Sequence, residues 1–370
     1  MKNRKFLIFM TVVMALALVL AGCGGKKEEP KKDAPKAAEK IKVAFVYVGP
    51  VGDGGWTYAH DQARKYLESK MPDVQTVFVE SVPEGADSER VITQLVEQGA
   101  KIVFTTSFGY MDPTINVAKK YPNVTFMHCS GFKTAPNVGT YFGRMYQARY
   151  LSGIVAGKQT KSNVIGYVAA FPIPEVVRGI NAFTVGVRSV NPQAKVKVIW
   201  TNTWYDPAKE KQAAMSLLDA GADVITQHQD TPGPMQAAQE KGKFGIGYNT
   251  DMSKMAPKAV MTSPVWNWGP YYVKVVEGVK NKTWKNEQYW GSLKENVVDL
   301  APFGPMVPEE TKKLVADAKK KIVDGSWDVF WGPVKDQTGA VKIAAGQKMS
   351  DADMLSFNWF VEGVDGTISK

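Results

Sequence analysis

From residue 41 onward, short runs of Val, Ile and Phe alternate with amphipathic stretches. The apolar runs fall at 42–48, 74–80, 102–105 and 124–128, and helix-period stretches lie between them at 56–70, 88–98 and 112–120. A second series follows the long stretch 146–159: runs at 164–169, 196–200, 224–226 and 244–247, with helical stretches at 175–190, 207–220 and 232–241. Strand-length runs separated by helix-length ones predict βαβ units and parallel sheets, here in two tandem α/β lobes. Asp112-Pro113, Asp206-Pro207 and Thr231-Pro232 each set a capping side chain before a proline suited to a first helical turn. Past residue 260 the pattern changes, with seven tryptophans from Trp266 to Trp359. Residues 327–348, with Asp336-Gln337-Thr338-Gly339 as a turn, predict an appended hairpin.

The one uninterrupted apolar run, 6–21, is shorter than the roughly 20 residues a spanning helix needs. With Lys2, Arg4 and Lys5 before it and Leu20-Ala21-Gly22-Cys23 after it, segment 1–23 reads as a secretory signal. Residues 24–40 are Lys, Glu, Pro and Ala-rich without bulky apolar side chains, the composition of a solvated tether. The net charge of +10 is half accounted for there: the first 40 residues hold 9 Lys/Arg against 4 Asp/Glu, the remaining 330 hold 37 against 32. With no Arg-rich stripe or basic-aromatic array in the body, a nucleic-acid partner is not expected.

Cys129 is the thiol left in the body, so no internal disulfide is available and stability must come from an apolar core. His60, His128 and His228 are too far apart to suggest a zinc site, and no metal or cofactor is expected. G-x-S-x-G, H-E-x-x-H, Walker and G-x-G-x-x-G patterns are missing, and Ser130-Gly131-Phe132-Lys133 matches S-x-x-K without its companion motifs. An enzyme is not expected.

Small residues before Cys23 resemble a bacterial lipobox, which implies a diacylated Cys23 and an extracytoplasmic, membrane-anchored protein. Asp53-Gly54-Gly55-Trp56-Thr57, Gly109-Tyr110-Met111-Asp112, Tyr205-Asp206-Pro207-Ala208-Lys209 and Thr262-Ser263-Pro264-Val265 together resemble the basic membrane protein family, of which purine nucleoside receptors are a branch. The resemblance runs from about residue 41 to 325. It implies an α/β, type I periplasmic-binding-protein fold: two Rossmann-like lobes with parallel sheets, joined by crossover hinge segments near 137–142, 261–266 and 298–302. Lobe 1 is expected over 41–138 plus about 265–297, lobe 2 over 139–264 plus about 298–325, and a C-terminal extension over 326–370. The implied partners are a small purine ligand and an ABC permease, with the chain itself a monomer.

By that resemblance Trp56 and Trp204 would cover the two faces of a purine, and Asp251 would accept from its N–H groups. Asp112 also matches a ligand position, although capping a helix would be job enough for it. Asp230 enters on its place at a strand end. Tyr47 stands where the nucleoside branch has an aspartate, and Trp266 where it has a lysine. Both exchanges trade charge for aromatic surface, which favours a nucleobase such as adenine over a nucleoside. The alternatives are a receptor for a nucleoside or another flat heterocycle such as a flavin, and a surface lipoprotein with no transport role.

Overall fold

The computed structural model describes residues 40–368. The expected signal, Cys23 and nearly all of the tether lie outside the described residues. Sixteen strands and ten helices follow in chain order. The strands are β1 Ile41–Val46, β2 Val74–Val79, β3 Ile102–Thr105, β4 Thr125–Cys129, β5 Val138–Gly143, β6 Val164–Ala169, β7 Lys195–Trp200, β8 Val224–His228, β9 Phe244–Ile246, β10 Val260–Thr262, β11 Pro264–Trp266, β12 Gln288–Gly291, β13 Val298–Leu300, β14 Val334–Lys335, β15 Val341–Ile343 and β16 Val364–Asp365. The helices are α1 Trp56–Lys70, α2 Ala86–Glu97, α3 Met111–Lys120, α4 Met145–Gln159, α5 Pro174–Val190, α6 Pro207–Asp219, α7 Gly233–Glu240, α8 Gly269–Lys280, α9 Glu309–Val323 and α10 Asp351–Leu355. None of the described helices is long and apolar enough to cross a membrane.

Two six-stranded parallel sheets organise the chain, in the orders β12-β5-β4-β3-β1-β2 and β10-β9-β8-β6-β7-β16. Their strands read as continuous apolar runs because each sheet is covered on both faces. In β1, Val43 and Phe45 pack into one apolar cluster with Ala63 and Leu67 of α1, while Ala44 and Val46 pack into another with Ile92 of α2 and Val117 of α3. The long stretch 146–159 forms α4, which is buried on every face from Met145 to Gly157, against α5 and the hinge.

The chain crosses between the sheets three times. The first crossing lies at Arg144, after β5 has already joined the first sheet, so 138–143 is strand rather than crossover. The other two are β11 and β13, which pair antiparallel as Pro264 with Leu300 and Trp266 with Val298. The C-terminal extension is more than an appendage. Its β14 and β15 pair antiparallel around Asp336, but its last strand β16 pairs with β7 and closes the second sheet. Trp327 serves this docking, 4.9 Å from Tyr150 of α4, and Asn181 of α5 donates to the Trp359 carbonyl and accepts from the Val361 N–H.

Candidate functional site

The carboxyl ends of both sheets face a shared, narrow cleft. This is where doubly wound sheets place ligands, because the loops there diverge and leave a crevice. The first sheet contributes Val48, Trp56, Ser107, Phe108 and Ser130; the second contributes Glu175, Trp204, His228, Asp230 and Tyr248.

Trp56 is placed by the turn before it. The Asp53 carboxylate accepts from the backbone N–H groups of Gly55, Thr57 and Tyr58 at 2.8–2.9 Å and so starts α1. Burial pushes that carboxyl up to about 6, against the three donors that pull it down. The indole is then fixed in rotation, because Nε1 donates to the Thr106 carbonyl at 2.7 Å. Trp204, half-buried on the opposite wall, lies 5.1 Å from Phe171 and 6.5 Å from His228, centroid to centroid.

Asp230 is 4% exposed, and its Oδ2 has no hydrogen-bond partner among the described residues. Burial raises its pKa above its ordinary value, reinforced by Asp53, Glu210 and Glu175 nearby. The same segment closes the cleft. A Cβ on Gly55 would stand 2.3 Å from the Asp230 carbonyl oxygen, so the two lobes touch backbone to backbone at this point. Beside it Thr250 Oγ1 donates to the Gly54 carbonyl at 2.5 Å.

Four residues singled out from the sequence are not brought to the cleft. Asp251 is exposed and accepts from Ser253 N at 2.9 Å, capping its own turn. Asp112 is exposed and pairs with Lys133 at 2.6 Å. It does not cap α3 either: the helix begins one residue earlier, at Met111, and makes no side-chain cap. Tyr47 points to the α1 side of the first sheet between Phe45 and Phe78, as strand alternation with Val43 and Phe45 requires. Trp266 stands behind Trp56 at 5.7 Å, stacks on Trp268 at 4.6 Å and donates Nε1 to Asn249 Oδ1 at 2.8 Å. Of the expected caps, Asp206 does accept from Lys209 N, at 3.0 Å.

Glu175, His228 and Tyr248 were not among the sequence candidates. Glu175 enters from the first turn of α5 and places Oε1 3.3 Å from His228 Nε2. Burial lowers His228 to about 4, so its imidazole is neutral near pH 7. Behind them Arg149 lays its guanidinium 3.6 Å from the Tyr248 ring centre and donates to the Gln227 carbonyl at 2.7 Å. The signal available in the sequence was only position: His228 lies two residues past one apolar run and Tyr248 directly follows the next.

A cleft walled by aromatic rings and carrying carboxyl acceptors is suited to hold a solute. Residues 40–327 match the family described as ABC transporter substrate-binding protein PnrA-like. A purine-binding protein of Brucella abortus (strain 2308) is 48% identical over 338 residues, covering 91% of this chain and 96% of that protein. A protein of Haloferax volcanii named for glucose binding in an ABC transporter is 40% identical over 344 residues, covering 93% and 85%. Among solved structures, a solute-binding protein of an Aeropyrum pernix K1 ABC transporter system aligns with TM-score 0.69 at 19% identity, covering 80% of this chain and 93% of that one. A counterpart from Conexibacter woesei aligns with TM-score 0.64 at 23% identity, covering 78% and 98%. These structural likenesses show the fold of a periplasmic binding protein. Relatives in the matched family are substrate-binding proteins rather than enzymes. The chain belongs to the PnrA-like family of ABC transporter substrate-binding proteins.

Proposed function

We propose that this solute-binding protein clamps a purine, with a free nucleobase such as adenine preferred over its nucleoside, and hands it to the permease of its ABC importer. The observation that carries the reading is the pair of indoles, Trp56 and Trp204, on opposite lobes of one cleft that also holds the unpaired Oδ2 of Asp230. A flat heterocycle satisfies both features at once: its faces meet aromatic walls and its edge N–H groups find an acceptor. The 48% identical relative named for purine binding supports it.

The preference for a base no longer leans on Tyr47 and Trp266, which lie outside the cleft. Its support is tightness: the cleft encloses only about 20 Å3 of open interior between the two lobes, which suits the smaller ligand better than one carrying a ribose. Titration calorimetry of ligand-stripped protein with adenine, guanine, hypoxanthine, adenosine, guanosine, riboflavin and glucose tests both levels. A free purine base should bind most tightly. A nucleoside bound tenfold better than every base overturns the preference, and glucose or riboflavin bound in place of purines overturns the purine reading.

We further propose that Cys23 carries a lipid that tethers the protein outside the cytoplasmic membrane, on the strength of Leu20-Ala21-Gly22-Cys23 closing the apolar run. Cys23→Ala should abolish fatty-acid labelling in cells, and a normally processed, membrane-bound variant would refute it.

A further inference from the structure

We infer that Glu175, held by His228, is a second carboxylate acceptor in the cleft, so that the site selects a purine offering N–H donors on two edges. The inference rests on the purine reading above.

Glu175 has the makings of a ligand contact rather than of a structural group. It sits in the first turn of α5 without capping it, and its side chain is 12% exposed, lining the cleft. Both buried arginines of this region pass it over: Arg149 donates to the Gln227 carbonyl, and Arg178, one turn along α5, donates to the Met354 carbonyl at 2.7 Å. Its one polar contact among the described side chains is His228. With His228 as its one protein partner and its side chain partly open to the cleft, the carboxylate is free to accept from an incoming donor.

The imidazole cannot take the acceptor role itself. Its Nε2 is already occupied, with Glu175 Oε1 at 3.3 Å and the Tyr248 hydroxyl at 3.5 Å, which leaves Nδ1 as the other ring nitrogen. That atom is turned to the far side, 3.5 Å from where a Cβ on Gly179 would stand, and is buried away from the cleft. The second sheet therefore presents two acceptor groups to the ligand, Asp230 and Glu175. A free purine base such as adenine matches them with its exocyclic amino group on one edge and its imidazole N–H on another. Substitution at the imidazole nitrogen removes the second donor.

Calorimetry of wild type and Glu175→Gln with adenine, 7-methyladenine and 9-methyladenine decides this. In wild type, at least one methyl isomer should bind about 5- to 150-fold more weakly than adenine, the range expected when one buried group loses its partner. Glu175→Gln should weaken adenine by a similar factor and shrink the gap between adenine and that isomer. Asp230→Asn should weaken adenine and leave the gap in place. Equal wild-type affinity for adenine and both isomers overturns the inference while leaving the purine reading intact, and so does a Glu175→Gln variant that weakens all three ligands by one common factor. The wild-type comparison stands by itself if the variant does not fold. Failure of wild type to bind any adenine derivative removes the inference and the purine reading together.

Discussion

Replacing Gly55 with Ala should hold the two lobes apart and weaken ligand binding by about 1–3 kcal/mol, or roughly 5- to 150-fold. A Cβ at this position would lie 2.3 Å from the Asp230 carbonyl oxygen and 2.8 Å from its carbonyl carbon, both backbone atoms of the facing lobe. Neither can rotate out of the way as a side-chain tip would. The three atoms nearest that methyl group all belong to Asp230 of the facing lobe, so the strain is relieved by opening the hinge, where the crossings at Arg144, β11 and β13 are the segments that can flex. Opening also breaks the Thr250 Oγ1 bond to the Gly54 carbonyl. The expected result is a ligand-free protein of ordinary thermal stability whose small-angle scattering profile stays extended at ligand concentrations that compact the wild type. Gly52→Ala is the internal control, since a Cβ there meets nothing within 4 Å. Binding by Gly55→Ala within twofold of wild type would mean that the closed contact plays no part in affinity.

The periodic elements were readable because their physics is local. α1, α5 and α6 begin and end within a residue or so of the expected spans, and the parallel strands announced themselves as doubly covered apolar runs. What escaped depends on partners distant in sequence. β5 reads as a connection until Phe126 and Tyr289 are known to flank it across the sheet. β16 is two residues long, too short for any pattern, and owes its existence to β7. Asp112 does not cap α3 because Pro113 is the third helical residue rather than the first, and a proline is tolerated anywhere in a first turn whose N–H groups have no helical partner.

The candidate site divides along the same line. Trp56 and Trp204 were legible as loop tryptophans after strands, and both line the cleft. Tyr47 could have been set aside from alternation alone, as it continues the face of Val43 and Phe45. Trp266 could not, because its role follows from the antiparallel pairing of β11 with β13 and from Asn249 beneath it. Glu175 and His228 are 53 residues apart, and their meeting requires that β6 lie beside β8 in the sheet order. Asp230 emerged from its position, and the structure adds what position could not: an oxygen without a partner and a backbone in contact with the opposite lobe.

Trp56→Ala and Trp204→Ala should each cost about 1–3 kcal/mol of binding, roughly 5- to 150-fold, if each indole covers one face of a flat ring. The two losses should differ in kind. Trp56 is anchored on both sides: its Nε1 is held by the Thr106 carbonyl, and its ring lies 4.4 Å from His60 and 5.7 Å from Trp266. Removing it excavates a well-packed wall, so Trp56→Ala should also lower the melting temperature of the ligand-free protein. Trp204 is half-buried at the cleft edge and gives its indole N–H to no partner among the described residues, so Trp204→Ala should leave that temperature nearly unchanged while affinity falls. Phenylalanine keeps a ring face, and Trp204→Phe should recover most of the lost affinity. Trp56→Phe should recover less, because it forfeits the bond that fixes the ring. Calorimetric titration with the tightest-binding purine, together with thermal denaturation of each variant, separates these outcomes. Both alanine variants binding within twofold of wild type, with the fold intact, would rule out the stacked arrangement.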